Sequence, residues 1–255
     1  MTRIIAPIAR ATLLEALRGR MLWLVAIVLV LALAAAAFLR QVAIIEATAI
    51  QVTIVAALLR VCAVFLAAAF VVMSMVREYS DKVLELMLAQ PWPRAAYLFG
   101  KFVGFALAAV LLAALVAAPL ALFAPVPAVL AWGLSLGCEL VIVTAMSLFC
   151  VITLTHIVPA LAAVFGFYVL ARSIAALQVI ASAAGSATGW SDWAASWIVQ
   201  GIALVLPRLD QMTQAAWLVA APPAAGALAS VLVQTAVYTV LLVAAAQFDL
   251  QRQNL

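Results

Sequence analysis

Charge is what this chain has least of. Only 9% of its residues are Asp, Glu, Lys or Arg, where a soluble domain carries about 25%. With 70% of the residues hydrophobic and a mean hydropathy of +1.31, no soluble core could hide the apolar surface, so most of it must face lipid. The net charge of +4 needs no nucleic acid to explain it. Histidine occurs once, at His156, without a nearby cluster of Cys, Asp or Glu, so no metal site is expected. Cys62, Cys138 and Cys150 all lie inside apolar runs and read as small buried residues rather than disulfide partners. A G-x-x-x-x-G-K-[ST] phosphate loop is also missing: Gly100-Lys101 is followed by Phe102 and lacks the upstream glycine. Any ATP-driven work would therefore require another polypeptide.

Long apolar runs are what the chain has instead. They are continuous, without the alternation of a membrane barrel strand, so spanning helices of about 20 residues are expected. Six are placed, at Met21–Leu39, Val52–Val76, Phe102–Phe123, Val129–Thr153, Ile157–Ile180 and Ala224–Phe248. The whole chain, residues 1–255, thus reads as one all-α integral membrane domain. Its opening, MTRIIAPIARATLLEALRGR, is mixed in polarity and the apolar run after it is too long for a signal peptide, so no cleaved signal is expected. Within residues 1–20, Ile8–Arg20 is amphipathic, with Glu15 and Arg18 one turn apart, and is expected to lie along the membrane surface as an interfacial helix.

Before the last span comes a longer segment, residues 181–223. Gly185, Gly189 and Ser191 break the helical pattern, and Trp193–Leu206 is apolar over a length that suits a re-entrant or interfacial helix better than a full span. Trp190, Trp193 and Trp197 recur at near-helical spacing, as aromatic anchors at headgroup level do. Small-residue pairs at Gly100–Gly104 and Gly133–Gly137 would allow close helix packing, but such matches are cheap in an alanine-rich chain.

The distribution of Lys and Arg gives an orientation. With the N-terminus inside, nine of the thirteen fall on the cytoplasmic side, Arg40 and Arg208 fall outside, and Arg60 and Arg172 fall within spans. That bias predicts both termini inside. It also fits a bacterial inner membrane, with residues 181–223 on the extracytoplasmic side.

Against this background, Arg77–Lys101 (REYSDKVLELMLAQPWPRAAYLFGK) stands out, because it holds seven of the 22 charged side chains. Asp81–Gln90 is predicted to form a short helix that stops before Pro91-Trp92-Pro93. Glu78, Asp81 and Glu85, with Lys82 beside them, take one face; Val83, Leu84, Met87 and Leu88 take the other. Such a helix can press its apolar face into a groove on a partner while its charges fix orientation. A solvated loop with an interfacial helix is the competing reading, and the residues alone do not separate the two.

The order Arg77-Glu78, a leucine-rich helix (Leu84, Leu86, Leu88), Pro91, Arg94 and Gly100-Lys101 resembles the segment between the second and third spans of ABC-2 type permeases. It departs at Asp81-Lys82, where that family often has Gly-Thr. The amphipathic N-terminal segment with Glu15, the six spans and the short helices before the last span fit the same family. LPRLDQM (Leu206–Met212) is similar to the outer loop of the subgroup typified by the permease of the nitrous-oxide reductase maturation transporter. The resemblance implies a transport subunit that is not itself an enzyme. Two such subunits, as a homodimer or a related pair, would bind two ATPase subunits that hold ATP and Mg, with no cofactor in this chain. Asp81–Gln90 and the flanking Glu78 and Arg94 would form the coupling element, the outer short helices a lid, and a periplasmic or accessory protein could join.

Three charges fall inside spans, where they are costly and mark candidate sites. Glu139 and Arg172 lie roughly 21–23 Å from the cytoplasmic edge by helical rise, and Arg60 roughly 24 Å. Antiparallel neighbours joined by a short turn should bring Glu139 and Arg172 into an ion pair. That pair reads first as structural. The functional reading is a polar patch on a substrate route, with Arg60 contacting an anionic group. An ion-gradient-driven secondary transporter using Glu139 is the alternative function. A hydrolase built on His156, with Ser147, Thr153 or Thr155, would need a protected site and an oxyanion hole that nothing in the sequence specifies.

Overall fold

A computed structural model describes residues 2–19, 21–42, 47–81, 94–184, 197–198, 200–203, 205–220 and 222–252. Among them no strand occurs. The elements are α1 (Thr2–Arg18), α2 (Met21–Val42), α3 (Ala47–Ser80), α4 (Arg94–Ala117), α5 (Val126–Leu154), α6 (Ile157–Ala184), the short α7 (Ala216–Val219) and α8 (Ala225–Arg252). Six of these, α2 to α6 and α8, are long and apolar enough to cross a membrane. Each coincides with one of the six apolar runs, as it must if the backbone is to satisfy its own N–H and C=O groups in hydrocarbon. The chain has the architecture of a multi-pass membrane protein.

Proline and backbone sterics set the helix ends. Pro119 falls where α4 tightens into a 3-10 turn, Ala118–Leu122. Pro127 sits in the first turn of α5, where its missing N–H costs nothing. At its other end α5 is stopped by Thr155, at φ 54°, whose N–H bonds to the Val151 carbonyl. A threonine in that left-handed region costs about 1 kcal/mol. The turn Thr155–His156 then leads directly into α6, making the two helices antiparallel neighbours.

α5 is the centre of the bundle. Of its most apolar stretch 72% is buried, against 17% for α2 and 11% for α8. Trp132, Leu136, Leu140 and Leu148 are fully enclosed, and α5 packs on α3, α4, α6 and α8. α2 packs on α3 and turns Trp23, Ile27, Val30 and Phe38 outward, as a lipid-facing helix does. With 34 residues, α3 is roughly 51 Å long. The hydrocarbon layer is only about 30 Å thick. Its C-terminal turns, Arg77 to Ser80, therefore stand clear of that layer or the helix is tilted.

α1 lies along α4 with Ala9, Thr12 and Ala16 buried in one stripe. The approach is close because α4 offers two glycines. A Cβ at Gly104 would come within 2.6 Å of Thr12 Cβ and 2.9 Å of the Ala9 carbonyl oxygen, and one at Gly100 within 3.1 Å of Ile8. The Gly100–Gly104 spacing, which counts for little as a sequence pattern, is the seat of the N-terminal helix.

The predicted helix Asp81–Gln90 lies outside the described residues beyond Asp81 itself, and so do Lys82, Val83, Leu84, Glu85, Met87 and Leu88. Trp190 and Trp193 also lie outside them. Of the short apolar segment before the last span, residues 197–198 and 200–203 are helical, and a 3-10 turn follows at Leu209–Gln211.

Candidate functional site

Among the described residues two polar clusters interrupt the apolar bundle, one deep between the helices and one where the connector leaves it. The deep cluster is built on Glu139, which α5 holds fully buried. A carboxylate there needs hydrogen-bond donors on both oxygens. Tyr168 of α6 donates its hydroxyl to one at 2.9 Å, and Thr213 donates to the other at 2.5 Å. Arg172, one turn beyond Tyr168, lies 3.8 Å from Glu139. Its guanidinium is turned toward the loop, where it donates to the carbonyls of Leu209 and Met212 and to the Thr213 hydroxyl.

The cluster thus binds a loop as well as balancing charge. Thr213 has a left-handed backbone at φ 46° and is buried. Its N–H donates to the Ser135 hydroxyl at 3.0 Å, and its carbonyl accepts from Arg60 at 3.3 Å. Glu139, Arg172 and Arg60 therefore all converge on this one residue. Glu139 and Arg172 are brought within ion-pairing distance, while Arg60 meets the loop backbone. Tyr168, Ser135 and Thr213 escape the sequence reading. Ser135 and Tyr168 precede Glu139 and Arg172 by one helical turn, a spacing that places them on the same faces. Thr213 comes from irregular chain and carries no such signal.

At the connector, two carboxylates tie three helices together. Glu15 of α1 accepts from Ser74 at 3.0 Å and Arg77 at 2.8 Å, both on α3, so its partners lie across the bundle rather than at Arg18 on its own helix. Glu78 accepts from Tyr97 at 2.5 Å and from Lys101, both on α4. Lys101 is nearly enclosed and also lies over the Phe105 ring at 5.7 Å. A cavity of about 170 Å³ among Ile8, Thr12, Glu15, Glu78, Tyr97 and Lys101 separates α1 from this pair. The residues from which the connector departs and to which it returns are thereby clamped. Asp81 continues α3 with its N–H on the Arg77 carbonyl, and α4 begins at Arg94.

No family model and no curated protein matches this chain.

His156 is exposed in the α5–α6 turn. Ser147 is buried and donates to its own helix at Val143, and Thr153 donates to Asp249 of α8 at 2.8 Å. Those hydroxyls are spent on helix and interhelix bonds. Among the described residues no group of three or more His, Cys, Asp or Glu is placed to hold a metal ion.

The connector clamp has a measurable weight. Breaking a buried pair costs about 3–5 kcal/mol because it strands the other charge. Glu78→Ala is expected to approach the lower figure, and Glu78→Ala with Lys101→Met to recover at least half of the loss. Thermal unfolding of the four members of that double-mutant cycle checks it; additive losses would show that the two side chains are uncoupled.

Proposed function

We propose that this chain is the membrane-spanning permease subunit of an ATP-binding-cassette exporter. In this reading it couples ATP hydrolysis on a separate ATPase to movement of a substrate. The observation that carries the reading is the clamped base of the connector. A segment that passes force from an ATPase to membrane helices must be stiff where it joins them. Here Glu78 ties the end of α3 to the start of α4, and Glu15 ties α1 to α3. The sequence between, with acidic residues on one face and Val83, Leu84, Met87 and Leu88 on the other, suits insertion into a groove of a soluble partner.

Nine of thirteen Lys and Arg residues on the connector side argue for placing it in the cytoplasm, with both termini inside. α1 is then an interfacial helix on the cytoplasmic face, and residues 181–223 lie on the far side. Two copies of the chain, or this chain and a relative, would serve two ATPases; ATP and Mg are held there. An ion-coupled transporter working through Glu139 fits less well, because both carboxylate oxygens are engaged and Arg172 stands beside them.

Purification of the tagged full-length chain from its native membranes tests this. An ATPase carrying a phosphate loop is expected to copurify and to hydrolyse ATP in the complex. A chain that transports in vesicles with no such subunit, driven by an ion gradient, would overturn the proposal.

A further inference from the structure

Among the described residues the deep cluster holds one positive charge more than it has carboxylates to balance. Arg172 is balanced by Glu139 at 3.8 Å, and Arg208 by Asp210 at 3.9 Å. Among the described residues no carboxylate stands within 4.0 Å of Arg60. Its one hydrogen bond among the described residues is the 3.3 Å donation from Nη1 to the Thr213 carbonyl. Its Nε is buried and has no acceptor among the described residues. A guanidinium offers five N–H groups, and its Nε–Nη edge matches two oxygens of one anion. Leaving that edge empty inside an apolar bundle is costly, since a charge at membrane depth is normally paired.

We propose that Arg60 is the contact residue for a singly charged oxyanion, of the carboxylate or phosphodiester kind, bound beside Thr213. Three features fit it to the task. The residue as a whole is half-buried, unlike fully enclosed Glu139, although its Nε is itself buried. Glu139 does not compete for Arg60, because Tyr168 and Thr213 occupy its oxygens. Arg172 gives its Nη1 to Leu209, Met212 and Thr213 and has Glu139 beside it, whereas Arg60 has no carboxylate neighbour among the described residues. The anion neutralises the uncompensated charge and fills the Nε–Nη edge in one step. Its source is either a soluble anionic solute or the headgroup of a membrane lipid. That a soluble anion would be cargo rests on the permease reading, whereas the binding itself does not.

The test uses the full-length chain purified alone, so that it is independent of any ATPase. Diethyl phosphate, a soluble monoanionic diester, is expected to raise the Tm by about 3 °C or more at saturation, and neutral triethyl phosphate to leave it unchanged. If a lipid is the source, nanodiscs of phosphatidylglycerol are expected to give the rise, relative to phosphatidylcholine, while diethyl phosphate gives none. In either arm Arg60→Gln abolishes the shift and Arg60→Lys, which keeps the charge without the two-pronged edge, retains a fraction of it. No anion-dependent shift in either arm, a shift of equal size with triethyl phosphate, or a shift that survives in Arg60→Gln overturns the proposal. Should Arg60→Gln fail to fold, the neutral-ester comparison and Arg60→Lys decide.

Discussion

Glu139→Ala is expected to lower the stability of the chain by about 3–5 kcal/mol, the range for removing one partner of a buried pair. The substitution strands more than one group. Arg172 loses its counter-charge, and the hydroxyls of Tyr168 and Thr213 lose their acceptor. Because Thr213 also holds Ser135 and Arg60, the loop from Leu206 to Thr213 should come free. Two readouts follow: a fall in Tm in detergent, and new protease cleavage within Leu206–Thr213. Glu139→Gln, which keeps an acceptor but not the charge, is expected to fall between the alanine variant and the native chain. A loss below about 1 kcal/mol, the size of an ordinary hydrogen bond, would mean that the cluster does not anchor the loop.

The second large effect is expected at Gly104, where any side chain meets α1. The atoms in the way are Thr12 Cβ and the backbone of Ala9, none of which can swing aside like the end of a flexible side chain. Gly104→Leu should therefore force α1 off α4, costing about 1–3 kcal/mol for the overpacking. It should also cost whatever the Glu15 bonds to Ser74 and Arg77 contribute. Gly166 on α6 is the control, since a Cβ there meets nothing within 4 Å. Gly166→Ala is expected to be neutral or to stabilise by up to about 1 kcal/mol, the helix-propensity gain. Thermal unfolding of the two variants side by side checks the contrast. Equal, small effects would show that α1 is loosely held.

The spans were legible because the signal is coarse: a helix that must cross hydrocarbon is written as an unbroken apolar run. The depth of Glu139 and Arg172 was legible for a related reason. Each lies 15 residues from the end of its helix at the shared turn, Leu154 and Ile157, and helical rise converts that into equal heights. What those charges bind was not legible. Thr213 belongs to irregular chain, and its position depends on a left-handed backbone that no threonine advertises. The glycine pairs show a different limit. Gly100–Gly104 and Gly133–Gly137 have the same spacing. Both glycines of the first pair are pressed against α1; in the second, a Cβ at Gly133 would come within 3.0 Å of Ala117 Cβ, but one at Gly137 would lie 3.8 Å from Ala113 Cβ, an ordinary contact. Spacing marks where close approach is allowed, and the packing partner decides where it is used. Glu15 lies one turn from Arg18 in the sequence, but its partners Ser74 and Arg77 stand on α3, which no local pattern could reveal.

We propose that the connector drives the membrane helices from a separate ATPase. The most direct test is ATP hydrolysis by the complex purified through this chain, compared with the same complex carrying Leu84→Asp and Leu88→Asp. These substitutions place charges on the apolar face of the connector without touching Glu78, Tyr97 or Lys101. Copurified ATPase activity is expected with the native chain and a loss of about tenfold or more with the variant, as for two central interface residues. Hydrolysis that proceeds equally in both, or no ATPase in the native complex, would contradict it.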